Sequence, residues 1–221
     1  MYTVNANLLF TTKGNRSMNL LKRKKQLPSN THNSYFNTKP FQTHKNHIQN
    51  TIMSLPFQES PDGWVKYGEF AVGGLQYIGF SDHSQYLLIV SSSGRGIIDV
   101  HTQKKIARDP LCEGDWLDEQ RLLCQGIGPL EGQLIPITGI GGGGLPIASA
   151  LGDSLYLAAP LFPCYDVVYQ PPGQNCLLTS HSKNCILMYR GYVNYYGFSP
   201  DGNIMIVVDE DIHLWIRKNI N

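Results

Sequence analysis

The sequence predicts an all-β fold. It reads as small antiparallel units made of repeated hairpins, curled into an array, behind a disordered N-terminal segment. Three observations predict it. A pattern of apolar run, turn cluster and second apolar run occurs at Tyr77–Val90 and again at Tyr196–Val208, with a broken copy at Val167–Ser180. Such a pattern is the signal of a hairpin, and its repetition points to an array of β units. No window of 12 residues keeps a 3.6-residue apolar period between breakers, so helix content is expected to be low. Composition also changes sharply near residue 52. Eight of the 18 basic residues and none of the 17 acidic ones fall in 1–52, leaving ten basic against 17 acidic, a formal −7, in 53–221.

Taken in order, residues 1–52 are rich in Asn, Thr, Lys, Gln and His, with few apolar clusters. Such a segment buries too little surface to offset its ordering entropy and is expected to be disordered. Three readings are open. It is a solvated tail, a basic arm for nucleic acid through Lys22-Arg23-Lys24-Lys25, or not native protein, with Met53 as the true initiator. The N-terminus lacks the apolar core and cleavage site of a secretory signal. No stretch reaches the roughly 20 apolar residues of a membrane helix.

From Asp62 the texture becomes β-like. Trp64–Val72 has strand character and Gly73-Gly74 ends it. The first copy then supplies strands around Tyr77–Phe80 and Tyr86–Val90. After the turn Ser91–Gly96, a third strand follows at Ile97–Val100. Arg121–Cys124 and Gln133–Ile137 read as strands flanking a Gly-rich turn, and Leu155–Ala159 as another. The middle copy predicts strands at Val167–Gln170, Cys176–Ser180 and Cys185–Tyr189. The last copy predicts a tight turn at Pro200-Asp201-Gly202, where Gly202 supplies a positive φ, and a core position for Trp215. The best short helix candidates are Pro146–Leu151 and Gly114–Gln120. Five cysteines without a C-x-x-C pair, mostly in apolar runs, read as buried reduced thiols.

Phe80-Ser81 through Val90, and Phe198-Ser199-Pro200-Asp201-Gly202 through Trp215, resemble blades of WD40-type propellers. Trp215 matches the tryptophan of that family's Trp-Asp pair, although Ile216 follows in place of Asp, and no Gly-His pair precedes any copy. Copy spacing is irregular, 89 residues from Phe80 to Tyr169 and then 29 to Phe198. A blade takes about 40–45 residues, so 53–221 has room for about four. The resemblance implies a small β-propeller-like domain; a curled antiparallel sheet is the alternative. Gln125–Leu130 and Gly139–Pro146, a GIGPL…GGGGLP pattern, also resemble a family of uncharacterised bacterial proteins.

Little in the chain points to catalysis. Gly139–Gly144 satisfies G-x-G-x-x-G, but a dinucleotide loop needs a helix next, whose N-terminus receives the pyrophosphate. Pro146 and Gly152 leave too little room for one, and the Gly-Lys-Ser/Thr of a P-loop is absent. The run is expected to be a flexible or a tightly packed glycine loop. Histidines lack metal-ligand spacing, and the acidic turns at Asp115, Asp118 and Glu119 and at Asp209–Asp211 read as solvated. The most site-like polar cluster is Arg95 between two glycines, with Asp99 and Arg108-Asp109 nearby; a turn with a structural ion pair is its other reading. Tyr189, Tyr192, Tyr195, Tyr196 and Trp116 supply aromatic anchors of the kind interfaces use.

The candidate binding set is therefore Arg95, Asp99, Arg108, Trp116, Gly141, Gly142, Gly143 and Tyr192. No catalytic residue, metal or cofactor is expected. The expected function is that of a cytoplasmic, bacterial-type protein-binding module, an immunity-type or scaffold protein whose loops engage a basic partner. No membrane partner is expected, and nucleic acid only through residues 1–52. The alternative is a small hydrolase or nucleotide-binding enzyme using the Gly139–Gly144 loop.

Overall fold

The computed structural model describes residues 37–112 and 114–218. Its main compact unit begins at Thr43, ahead of the expected boundary at 52/53. Residues 1–36, including the Lys22–Lys25 run, lie outside the described residues. Helix α1 (Lys39–Met53) precedes fifteen strands. Strand β1 (Trp64–Ala71) comes first. Then β2 (Leu75–Phe80), β3 (Tyr86–Ser91), β4 (Gly94–Asp99) and β5 (Lys104–Asp109) form a meander. A smaller one follows in β6 (Leu117–Asp118), β7 (Leu123–Gln125) and β8 (Leu134–Pro136), after which β9 (Thr138–Gly139) returns to pair with β2. Strands β10 (Ser154–Leu161), β11 (Cys164–Gln170) and β12 (Ile186–Gly191) make a third sheet. Strands β13 (Tyr195–Phe198), β14 (Ile204–Val208) and β15 (Asp211–Arg217) make the fourth.

All strand pairs in these four sheets are antiparallel, and the fold is all-β and propeller-like. The sheets match the roughly four units that the length allows. Two features define the arrangement. First, β1 from the start of the unit pairs with β15 at its end, Trp64 opposite Arg217 and Ala71 opposite Asp211. The fourth sheet thus borrows its outer strand from the other end of the chain. Second, the sheets stack face to face. Ile78, Leu87, Ile89 and Ile98 pack against Ile204, Ile206, Ile212 and Leu214. The opposite face of the fourth sheet (Phe198, Met205, Val207, Trp215) meets Leu155, Val167, Ile186 and Met188 of the third. The opposite face of the first (Tyr77, Leu88, Val90, Ile97) meets Trp116, Cys124 and Ile135 of the second.

The layer order is therefore β6–β8, β2–β5, β13–β15 with β1, then β10–β12. Among the described residues no buried cluster joins the two terminal sheets. A strand sandwiched between two sheets is buried on both faces and reads as a continuous apolar run. That explains Leu87-Leu88-Ile89-Val90 and the wholly buried Ile204–Val208. Trp215 is 1% exposed and its Nε1 donates to the Glu59 carbonyl at 2.7 Å. Gly202 sits at φ +72 in a tight turn closed by its N–H to the Ser199 carbonyl.

Three expectations change. Residues 39–53, expected to belong to a disordered tail, form α1. Ile52, fully buried, packs with Val168, Cys176 and Cys185, with Ile48 and Leu55 beside them. This apolar stripe gives an otherwise polar segment something to bury. The middle copy is not a hairpin of the expected kind: β11 pairs directly with β12, and Cys176–Ser180 is irregular, ending in a 3₁₀ turn at Thr179–His181. Its apolar residues serve the packing against α1, and the Gln170 side chain accepts the Cys176 N–H at 2.8 Å. Neither Pro146–Leu151 nor Gly114–Gln120 is helical; the latter contributes β6. The free edge of β12 is occupied by residues 56–58, where Leu187 N–H donates to the Pro56 carbonyl and Gln58 N–H to the Leu187 carbonyl. Of the five cysteines, Cys124, Cys176 and Cys185 are buried, Cys164 is half-buried and Cys112 is exposed.

Candidate functional site

Arg95 lies on β4 directly opposite Asp109 on β5. Its Nε and Nη2 both reach Asp109 Oδ2, at 3.0 and 2.9 Å, and its Nη1 donates to the Gln125 carbonyl at 2.7 Å. The guanidinium carbon stands 4.8 Å from the Trp116 ring centroid, a cation–π contact. Trp116 is 7% exposed, part of the core between the first two sheets, and its Nε1 has no partner among the described residues. The Asp109 carboxyl is held below the usual carboxylate range, first by the Leu111 N–H and then by Arg95. Burial pushes the neighbouring Cys124 thiol up, against the opposing charge of Arg95. Arg95 thus pins the β6–β8 sheet to the β2–β5 sheet.

The other expected members separate. Asp99 is four residues along β4, about 13 Å at 3.3 Å per residue, and accepts the Thr102 N–H in a turn at 2.9 Å. That bond lowers its carboxyl pKa. Arg108 reaches back to the Ser93 carbonyl and hydroxyl. Tyr192 is 64% exposed beyond the end of β12, away from this cluster. Of the two acids that the sequence places near Arg95, the hairpin register sets Asp109 and not Asp99 opposite it, and the pair is a structural one.

The glycine run is packed, not open. A methyl placed on Gly141 would stand 2.5 Å from the Tyr77 hydroxyl, and one on Gly143, at φ +86, 2.8 Å from the Ile137 carbonyl. Gly142 also has a positive φ, +118. Downstream, the Phe198 N–H donates to the Pro146 carbonyl at 2.7 Å, which ties the segment to β13. Of the flexible and the tightly packed loop expected here, the structure has the packed one, a strut between β2 and β13. No helix follows it within 145–153, so the geometry for a pyrophosphate is missing.

The same construction recurs at the closure. Arg217 Nη2 donates to Asp153 Oδ2 at 2.6 Å and to the Gly202 carbonyl at 3.2 Å, and its Cζ stands 4.3 Å from the Trp64 ring. Tyr169 and Ser149 hydroxyls also donate to Asp153. Arg190 pairs with Asp166 on the third sheet, at 2.6 and 2.8 Å.

The surface around the β6–β8 sheet has a different character. Residues 111–137 hold five acidic residues and one basic, Arg121. Asp115, Glu119 and Glu131 are exposed, and Asp118, half-buried, accepts the Arg121 N–H at 2.9 Å. Asp115, Asp118, Glu119 and Glu131 make no ion pair among the described residues. Leu134 is 58% exposed beside them. Among the described residues no group of three or more metal-ligating side chains converges, and no helix is long and apolar enough to cross a membrane.

Fold and surface together define a propeller-like all-β module in which Arg95 and Arg217 brace neighbouring sheets. No protein-family model matches the chain, including any for the GIGPL…GGGGLP pattern, and no curated protein matches it. Among solved structures it is similar to the β-propeller domain of Cps50 (Swd1) from Myceliophteria thermophila. The identity is 12% and the TM-score 0.24, over 64% of this chain and 52% of that one. The chain thus spans about half the length of that domain.

Proposed function

We propose that this chain is a non-enzymatic protein-binding module that engages a basic partner through the loops of its acidic surface, in the cytoplasm. A scaffold protein and an immunity-type protein masking a basic target are two concrete forms of that role. The observation that carries the reading is how the charges are used. Arg95, Arg190, Arg217 and Lys66 are consumed by carboxylates of the fold itself. The acids of the small sheet have no such partner, and they carry much of the −7 of residues 53–221. Unpaired charge of one sign steers an oppositely charged partner and raises the association rate. No helix follows the glycine run within 145–153, so the nucleotide form of the enzyme alternative lacks the helix N-terminus that receives a phosphate.

The test is capture from an extract of the source cells on the immobilised full chain, followed by salt elution. The expected result is a discrete protein of net positive charge, released as ionic strength rises past the point where surface charges are screened over about 8–10 Å. Retention of an acidic or neutral protein only, or of none, would overturn the proposal.

A further inference from the structure

Resting on that reading, we propose that the outer face of the β6–β8 sheet is the docking site, and that its occupant is a basic amphipathic helix of the partner protein. The layer order is the starting point. Each inner sheet is covered on both faces, and each terminal sheet has one face with no sheet against it. At one end that face, on β10–β12, is covered by the α1 stripe Ile48 and Ile52. At the other end nothing among the described residues covers β6–β8.

The register identifies what that face carries. Leu117, Cys124 and Ile135 sit opposite one another and turn inward to Tyr77 and Trp116. Side chains alternate along a strand, so Asp118, Leu123 and Pro136, which are also opposite one another, lie on the outer face, as do Gln125 and Leu134. The face is therefore apolar at Leu123, Leu134 and Pro136, with Asp118 on it, Asp115 beside Gln125 and Glu131 lining the same groove as Leu134. Leu134 and Glu131 continue into an open groove of about 630 Å³ that runs past Gln125 and Ile127 to Arg95.

The chemistry selects the occupant. An apolar face with carboxylates on and beside it complements a Leu- or Ile-bearing stripe flanked by Lys or Arg, the helix-in-groove mode of recognition. A second copy of this chain would set acid against acid and is disfavoured. Three strands of two or three residues span about 10 Å in each direction, enough for one or two turns of helix. A contact of that size is small, so the complex is transient, with a dissociation constant on the order of micromolar.

The probe is an 18-residue peptide of Leu and Lys with Leu at helical i, i+3, i+4 spacing, and a Leu/Glu peptide of the same pattern is its control. Binding to the full-length protein is read by fluorescence anisotropy, with backbone NMR shifts to locate it. The expected result is that the Leu/Lys peptide binds, that the Leu/Glu peptide does not, and that shifts map to 115–136. Leu134→Glu should weaken binding at least tenfold, and so should the Asp115→Lys/Glu131→Lys pair. Glu210→Lys, on the exposed β14–β15 turn, should leave it unchanged. Equal weakening by Glu210→Lys, shifts elsewhere, unaltered binding by Leu134→Glu, or dimerisation of the free protein at micromolar concentration would each overturn this docking site. Circular dichroism confirms folding of each variant, and the exposed charge pair serves if Leu134→Glu unfolds. Capture of a basic protein that survives Leu134→Glu would leave the proposed function standing and remove only this site.

Discussion

Trp64 and Arg217 stand opposite each other where the first strand of the domain pairs with the last, and the guanidinium lies 4.3 Å from the indole centroid. The same guanidinium donates to Asp153 at the start of the third sheet and to the Gly202 carbonyl in the last hairpin turn. One side chain therefore ties chain closure to sheet packing. Asp153 is buried, and removing one partner of a buried pair leaves the other charge uncompensated. Arg217→Ala is expected to cost about 3 kcal/mol, at the lower end for such pairs. Arg217→Lys should recover less than half of it, because an ammonium cannot both stack on Trp64 and keep the forked donation. Urea unfolding of the two variants checks this; full recovery by lysine would show that charge alone matters.

The closure also sets the pH response. Burial pushes the Asp153 carboxyl up, but donations from Arg217, Tyr169 and Ser149 outweigh it and hold it below the usual range. Asp201 and Asp209 are lowered in the same way. A carboxyl depressed in the folded state stabilises it fully above the unfolded pKa, about 3.9, and that contribution is lost as pH falls through the folded value. Stability should therefore fall below pH about 4. Asp153→Asn, which removes one titrating group, should be less stable at pH 7 and show a shallower acid decline. A parallel decline in both proteins would remove Asp153 from the account.

On the alkaline side the sign reverses. Tyr169 and Tyr189 are both raised, first by burial and then by donating to Asp153 and Asp209. Their contribution is complete below the unfolded tyrosine pKa, about 10, and is lost as pH climbs from there through the raised values. The protein is expected to unfold at alkaline pH with tyrosinate absorbance at 295 nm appearing cooperatively. Gradual titration of Tyr169 and Tyr189 in the folded protein would contradict it.

The α1 stripe yields a prediction that runs against the reading of Met53 as the true initiator. Ile52 is fully buried over Cys176 and Cys185. Ile52→Ala should cost about 2–5 kcal/mol, and a chain beginning at Met53 should melt several degrees lower. Burial, with Cys185 beside it, pushes the Cys176 thiol up to about 11, so thiol reagents at pH 8 should label exposed Cys112 quickly and Cys176 only on unfolding. In the shortened chain Cys176 should become reactive. Equal melting and unchanged protection would show that the helix contributes nothing.

What the sequence conveyed depended on where each residue's burial comes from. Leu87–Val90 and Ile204–Val208 were readable because two covered faces write a continuous apolar run. β5 was not, since an edge strand carrying Lys104 and Lys105 looks like a turn. α1 was hidden because its stripe consists of single isoleucines among polar residues, and its partners lie more than a hundred positions away. Cys176-Leu177 looked like part of a strand because burial against a helix and burial in a sheet leave the same local composition. At the site, Arg95 stood out between two glycines with Asp99 and Asp109 near it, but which of the two acids pairs with it depended on a register that only the folded hairpin fixes.

The glycine strut gives the last prediction. If Gly139–Gly144 were only a connector, added length would cost well under 1 kcal/mol through loop closure. The structure places it between β2 and β13 with no room at Gly141 or Gly143. Gly143→Val would combine a strained φ of +86 with a clash against the Ile137 carbonyl. The backbone part alone costs about 1 kcal/mol or more, and displacement of β9 from β2 adds to it. Gly144, around which nothing lies within 4 Å and whose φ is not positive, is the internal control. Gly144→Ala should be neutral to within about 0.5 kcal/mol. Because the strut abuts Tyr77, which donates to Glu119 at 3.0 Å beside the acidic face, Gly143→Val should also perturb the NMR shifts of residues 117–125. Equal tolerance of both substitutions would return the segment to the status of a loose loop.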